Sequence, residues 1–171
     1  YVPSINLDVA MRKTCLGKTW FETYKKLQEN EEKMLTIPEF IEFLKYTQND
    51  FPEFYEEITK VRSPWRGIWL DAHFKANKGK SYVHFNHVPN SEGNLVSQNS
   101  EPLSEDTLMG DRTPGISLEG WLINPTIQGL PKEDIKQGDL YFWYPRKDDN
   151  SFAGFVANSN MVGLTCNGDI S

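Results

Sequence analysis

The chain has 171 residues, with 18 Lys and Arg against 24 Asp and Glu and a formal net charge of −6. That balance lacks the basic footprint that concentrates nucleic acid or anionic lipid, and no apolar run approaches the ~20 residues that span a bilayer, so neither nucleic-acid partners nor membrane insertion is expected. Aromatic residues make up 13 % of the chain, enough to build a core from large rings and too many for a disordered, solvating segment.

The first sixty residues read as helices. Leu16, Trp20, Tyr24 and Leu27 recur at helical intervals, while Lys25, Lys26, Glu29, Glu31 and Glu32 fall on the other faces. This spacing predicts a helix from about Lys18 to Met34. Thr36-Ile-Pro-Glu39 and Asp50-Phe-Pro-Glu53 each offer a capping oxygen, a proline in the first turn and a glutamate three residues on, so two more helices are expected to start there. Their apolar sets, Ile37/Phe40/Ile41/Leu44 and Phe51/Phe54/Tyr55/Ile58, each form a single stripe.

After Pro64 the period changes from helix to strand. Trp65 to Phe74 is dense in large apolar residues, Ser81 to Val88 alternates, and Asn77-Lys-Gly79-Lys separates them, which predicts a β-hairpin. Pro89 to Gly115 is rich in Asn, Ser, Glu, Asp, Gly and Pro and reads as long irregular loops. Short helices are expected around Trp121, over Ile116 to Ile123, and over Pro131 to Lys136. Asp139-Leu-Tyr-Phe-Trp-Tyr144 carries the strongest strand signal, ended by Pro145. Toward the C-terminus, Phe155, Ala157 and Ser159 alternate with Val156, Asn158 and Asn160, and Leu164 and Cys166 alternate with Gly163, Thr165 and Asn167. One set can face a core while the other faces solvent.

Little in the chain carries catalytic chemistry. His84 and His87 lie three apart, with His73 on the neighbouring strand. Strand positions three apart point to opposite faces and no carboxylate or thiol cluster supplies further ligands, so no metal site is expected. Cys15 and Cys166 sit near opposite ends and read as inert thiols rather than a bridge. Asp148 and Asp149 follow a Pro-Arg-Lys turn and read as solvated loop acids. The common nucleophile, zinc, phosphate-loop and EF-hand signatures are absent.

Three stretches, Gly115-Ile-Ser-Leu-Glu-Gly-Trp-Leu-Ile-Asn-Pro125, Gly129-Leu-Pro-Lys-Glu-Asp-Ile-Lys-Gln-Gly-Asp-Leu-Tyr-Phe-Trp-Tyr-Pro145 and Ser151-Phe-Ala-Gly-Phe-Val-Ala-Asn-Ser159 with Leu164-Thr-Cys166, resemble the variable proteins of archaeal diversity-generating retroelements. The likeness covers roughly the last third of the chain. It implies an α+β, C-type-lectin-like fold with long loops. A helical N-terminal region, residues 1–62, would pack on a ligand-binding domain, residues 63–171, whose variable segment covers about 146–171. In that family a retroelement rewrites template adenines and so replaces outward residues on a constant scaffold. Phe155, Ala157, Ser159, Leu164 and Cys166 match the constant frame. Gly154, Val156, Asn158, Asn160, Gly163, Thr165, Asn167, Gly168 and Asp169 match the variable, ligand-binding positions. All nine are reachable when only the adenines of an Asn codon change, whereas Met161 is not.

The resemblance implies a non-catalytic binder without cofactor or metal, displayed on a virion or cell surface. Its partner would be a protein or glycan, such as a host or cell-surface receptor. Phe152, Val162 and Ile170 stand where the family often has Val, Ala and Pro. Family members usually continue to a closing strand resembling Leu-Gly-Val-Arg, whereas this sequence ends at Ser171, where an unpaired strand edge would be a liability. Two other readings use the same fold. A formylglycine-generating type of enzyme would use Cys166 as its reactive group. A Ca-dependent sugar-binding lectin would need Glu-Pro-Asn and Trp-Asn-Asp motifs, for which Glu101-Pro-Leu and Trp69-Leu-Asp are poor substitutes.

Overall fold

Two threonines start the first two helices in the computed structural model, which describes residues 1–146 and 150–168. Thr19 accepts from the backbone N–H of Glu22, and Glu22 accepts in return from the N–H of Thr19 at 2.9 Å, opening α1 (Trp20–Glu29). Thr36 and Glu39 repeat this reciprocal cap at α2 (Ile37–Asp50). Burial opposes the Glu39 charge, yet Lys33 at 2.7 Å and the Thr36 cap bonds hold its carboxyl below the usual range. α1 is shorter than the Lys18 to Met34 expectation, because Asn30 caps it and Glu31 turns left-handed at φ 59°. Leu16, placed on its stripe by the spacing, is 72 % exposed.

The second near-copy behaves differently from the first. Asp50 is the last residue of α2 rather than a cap, and α3 (Pro52–Thr59) starts at Phe51 with no side-chain cap bond. The two helices abut, so Phe51 both ends one and begins the next. At the far end of α3 the buried Arg66 guanidinium donates to the carbonyls of Glu57 and Val61, placing a cation where the helix leaves unpaired acceptors.

The expected hairpin is β1 (Arg66–Asn77) and β2 (Lys80–Pro89), joined by Lys78 and Gly79, both at positive φ. That turn twists in the sense the strands require. The loop expected over Pro89 to Gly115 instead contains β3 (Leu95–Pro102) and β4 (Arg112–Ile116). Among the described residues β3 lies at the sheet edge and pairs only with β2, so it needs ladder hydrogen bonds but no buried row, and its polar sequence hides it from a hydrophobic-period reading. α4 (Leu118–Ile123) forms around Trp121 as expected. Pro131 to Lys136 is not a helix. Lys132 bridges to Thr107, and Pro131 accepts from Leu108 and Glu133 donates to Asp106, bonds that pull the segment open.

β5 (Gln137–Gly138), β6 (Leu140–Trp143), β7 (Ser151–Ala157) and β8 (Val162–Gly168) complete the chain. Among the described residues the strands form one sheet in the order β3-β2-β1-β7-β8-β6-β4-β5, antiparallel except for β6 with β8. The protein is thus a mixed α+β structure with a large, mostly antiparallel sheet and a few helices. β8 has a partner on each side, β7 and β6, so the unpaired edge feared from the sequence does not occur there.

The two sheet faces are covered unequally. The inner face packs Leu70, Phe74, Phe142, Ala153, Phe155 and Leu164 against Phe40, Ile41 and Leu44 of α2 and Trp121 of α4. Phe155 sits 5.3 Å from Phe40 and 6.3 Å from Trp121, centroid to centroid. On the outer face a smaller cluster of Trp20, Tyr24, Met34 and Phe152 seats α1, with Trp20 and Phe152 centroids 4.5 Å apart.

Candidate binding face

β7 and β8 alternate as the sequence suggests. Ala153, Phe155 and Ala157, with Val162, Leu164 and Cys166, are buried in the inner core. Val156, Thr165 and Asn167 are partly exposed on the outer side. Register places two outer rows across four adjacent strands. One runs Gly67, Val156, Gly163, Tyr141, and the other Trp69, Gly154, Thr165, Trp143. Small residues fill the middle of each row; Tyr141 flanks the first row on β6, and Trp69 and Trp143 flank the second on β1 and β6.

The glycines explain how the aromatics lie. A Cβ on Gly163 would stand 2.7 Å from Trp143 Cζ3 and 3.0 Å from Tyr141 Cβ; one on Gly154 would stand 3.4 Å from Trp69 Cε3, and one on Gly168 3.2 Å from Trp69 Cζ3. Each indole leans inward over a position that has no side chain. Gly154 and Gly163, expected to display side chains outward, are therefore buried beneath Trp69 and Trp143. They belong to the outer face but present no surface.

The remaining sequence-derived positions divide further. Thr165 shares its row with the two indoles and donates to Asn167 Oδ1 at 2.9 Å, while Val156 lies in the other row, beside Gly67. Asn158 and Asn160 are in the β7–β8 turn, where Asn158 Oδ1 accepts from the backbone of Asn160 at 2.9 Å and of Met161 at 3.2 Å. The side chain of Asn158 thus shapes its own loop. Ser159, expected in the inward frame, is exposed in the same turn, because β7 ends at Ala157. Asp169 lies outside the described residues, as do Asp148 and Asp149. Arg62 donates to the Asn160 carbonyl at 3.1 Å, and Trp65, 69 % exposed, precedes the Arg66 that pairs with Ala157.

Sequence reasoning missed Trp69, Tyr141 and Trp143. The signal was present for the last two: in a strand whose Leu140 and Phe142 face the core, Tyr141 and Trp143 must point the other way.

Beside this face, α1 clamps a buried polar cluster. β1 bulges between Trp69 and His73, and the Asp71 N–H donates to the Leu35 carbonyl at 2.8 Å. The Asp71 carboxylate faces the His87 ring at 2.5 Å and accepts from the His87 backbone at 3.2 Å. The Tyr24 hydroxyl donates to the His87 carbonyl; burial and then the Asp71 charge push its ionisation upward. His73 stacks on Phe152 at 4.4 Å and meets Asn150 Oδ1 at 3.0 Å. Burial, followed by the Lys75 charge, lowers its pKa to about 4. The expectation that His84 and His87 face opposite ways fails, since both rings come near His73, at 6.1 and 6.3 Å. Asn86 between them sits at φ 53°, and this left-handed residue breaks the alternation.

Among the described residues no group of three or more His, Cys, Asp or Glu is placed to hold a metal ion, and no helix is long and apolar enough to cross a membrane. Both cysteines are free, and burial pushes the Cys166 thiol well above its ordinary pKa, the reverse of what a reactive thiolate requires. Cavities of about 310 and 240 Å³ flank Asp71 and Asn86, and none of the nine variable positions lines them. Comparison with protein-family models, curated proteins and solved structures finds no match.

Proposed function

We propose that this chain is a non-catalytic ligand-binding protein that meets its partner through the outer side of β7 and β8. The observation that carries this reading is the division of two adjacent, fully paired central strands into a buried inner row and a partly exposed outer row. Backbone ladders on both sides and the inner core hold these strands, so the outer side chains contribute contacts without deciding the fold. Preformed backbone also lowers the ordering cost of binding.

The resemblance over Gly115 to Cys166 extends the proposal: a C-type-lectin-like variable protein of an archaeal diversity-generating retroelement, recognising a protein or glycan receptor from a virion or cell surface. Two experiments test it. A near-identical repeat of the segment encoding residues 146–171, differing at adenines and adjoining a reverse-transcriptase gene, is expected in the source DNA; its absence removes the retroelement part. Separately, combinatorial replacement of Val156, Thr165 and Asn167 should leave melting temperature nearly constant while changing which receptors a displayed library captures. Widespread unfolding of that library would overturn the binding reading.

A further inference from the structure

We propose that two copies of this chain pair edge to edge through β3, as an antiparallel, two-fold symmetric dimer that continues the sheet from one copy into the other. Among the described residues, β3 bonds to β2 along one side and leaves its other side open, so every second residue there turns a backbone N–H and C=O outward. None of its eight residues is buried. One ladder therefore holds this strand with no buried row beneath it, and a second ladder on the open side would hold it from both.

Sheet edges are ordinarily guarded against such pairing by charge, by proline or by a bulge that twists the strand away. Charged residues make up 25 % of the chain, yet Leu95-Val-Ser-Gln-Asn-Ser100 is free of both charge and proline. Glu101 and Pro102 come only at the end of the strand. The left-handed residue that interrupts the β2–β3 register, Asn86, lies on β2 rather than on the edge. Val96 is 42 % exposed on this unguarded strand.

Charge decides how two such edges meet. In a parallel pairing the two Glu101 carboxylates would lie side by side on neighbouring strands, where like charges destabilise. In an antiparallel pairing about Ser97 or Gln98 they lie at opposite ends, roughly 20 Å or more apart, beyond the screening length at physiological salt. The neutral stretch of each copy then faces that of the other. Such a pairing uses the same strand twice and closes on itself. Among the described residues the far edge of the sheet is β5, only two residues long, too short to extend copies head to tail. The contact is one strand edge rather than a large buried surface, so the dimer is weak and reversible. On the binding reading above it carries two outer faces, which engage a multivalent surface with avidity; the dimer itself does not depend on that reading.

The test is sedimentation of the intact chain over a concentration series up to about 1 mM. Salt of about 0.15 M screens the charge of −6 on each copy. Monomer should pass to dimer as concentration rises, and stop there. S97K/Q98K sets like charges face to face whichever of the two residues lies on the axis, and should weaken the dimer by at least about tenfold; S97E/Q98E should do the same. Mixed in equal amounts, the two variants should pair again with opposite charges across the axis, a recovery that a misfolded edge would not give. A chain that stays monomeric throughout the series overturns the inference and leaves the edge to a strand of another protein. A dimer that neither variant weakens, a mixture that does not recover, or growth beyond the dimer also overturns it. The library randomised on β7 and β8 reads the binding face separately. A dimer whose library gains no receptor-specific members sinks only the binding reading, and receptor-specific members from a monomer sink only the dimer.

Discussion

The inner and outer sides of β7 and β8 are made by the same fourteen residues and differ in what their side chains do. Inward, Phe155 is wedged between Phe40 and Trp121 and Leu164 is fully buried, so each side chain is fixed by several helices and strands at once. Outward, the same strands offer glycine, valine, threonine and asparagine, and the large rings arrive from β1 and β6. The contrast teaches that tolerance to change is not uniform even on the outer side. It exists at Val156, Thr165 and Asn167, and is withdrawn at Gly163, where the Trp143 indole already occupies the space.

Substitutions can break this contrast in graded steps. The largest effect is expected inside: Phe155→Ala leaves a cavity between α2 and α4 and should cost about 3–5 kcal/mol by chemical denaturation. Gly163→Val is next. Its new Cβ would meet Trp143 and a Tyr141 carbonyl 2.9 Å away, and such overpacking costs about 1–3 kcal/mol, measured by the same denaturation. A loss equal to that of Thr165→Ala would disprove the placing of the Trp143 indole over Gly163.

The part of the outer face under α1 should respond to acid. His73 is held to about pKa 4 and His84 is also lowered, each mainly by burial and then by Lys75. An unfolded histidine takes up its proton near pH 6.5. Between pH 6.5 and 4 the unfolded state therefore binds more protons than the folded state, and stability falls as pH falls through that window and is fully present above it. His84, Lys75 and the Asp71–His87 pair surround the ring, so His73→Gln should reduce, not erase, the decline in melting temperature across this range. An unchanged decline would remove His73 as a contributor. Tyr24→Phe, which deletes the bond to the His87 carbonyl, should cost about 0.5–1.5 kcal/mol. Smallest of all, Thr165→Ala and Asn167→Ala should stay within about 0.5 kcal/mol in thermal melts.

Several elements were legible without coordinates because short-range chemistry specifies them. Thr36-Ile-Pro-Glu39 carries its own reciprocal cap, Lys78-Gly79 its own turn, and the alternation from Phe155 to Ala157 and from Leu164 to Cys166 its own inner row. The near-copy at Asp50 misled because an abutting helix took that residue for its last turn. β3 escaped because an edge strand exposed on both sides needs no apolar period. The facing of His87 escaped because one left-handed residue, Asn86, cancels the rule that separates positions three apart.

The sequence by itself determined the inner row of β7 and β8 and the caps of α1 and α2, since each depends on neighbours within a few residues. Only the tertiary structure decided that Trp69 and Trp143, 74 positions apart in the numbering, would flank Thr165, and that α1 would close one end of the same face. The physical reason is strand order: β1 and β6 are brought to either side of β7 and β8 by pairing between distant segments, and local periodicity contains no record of which strand will lie beside which.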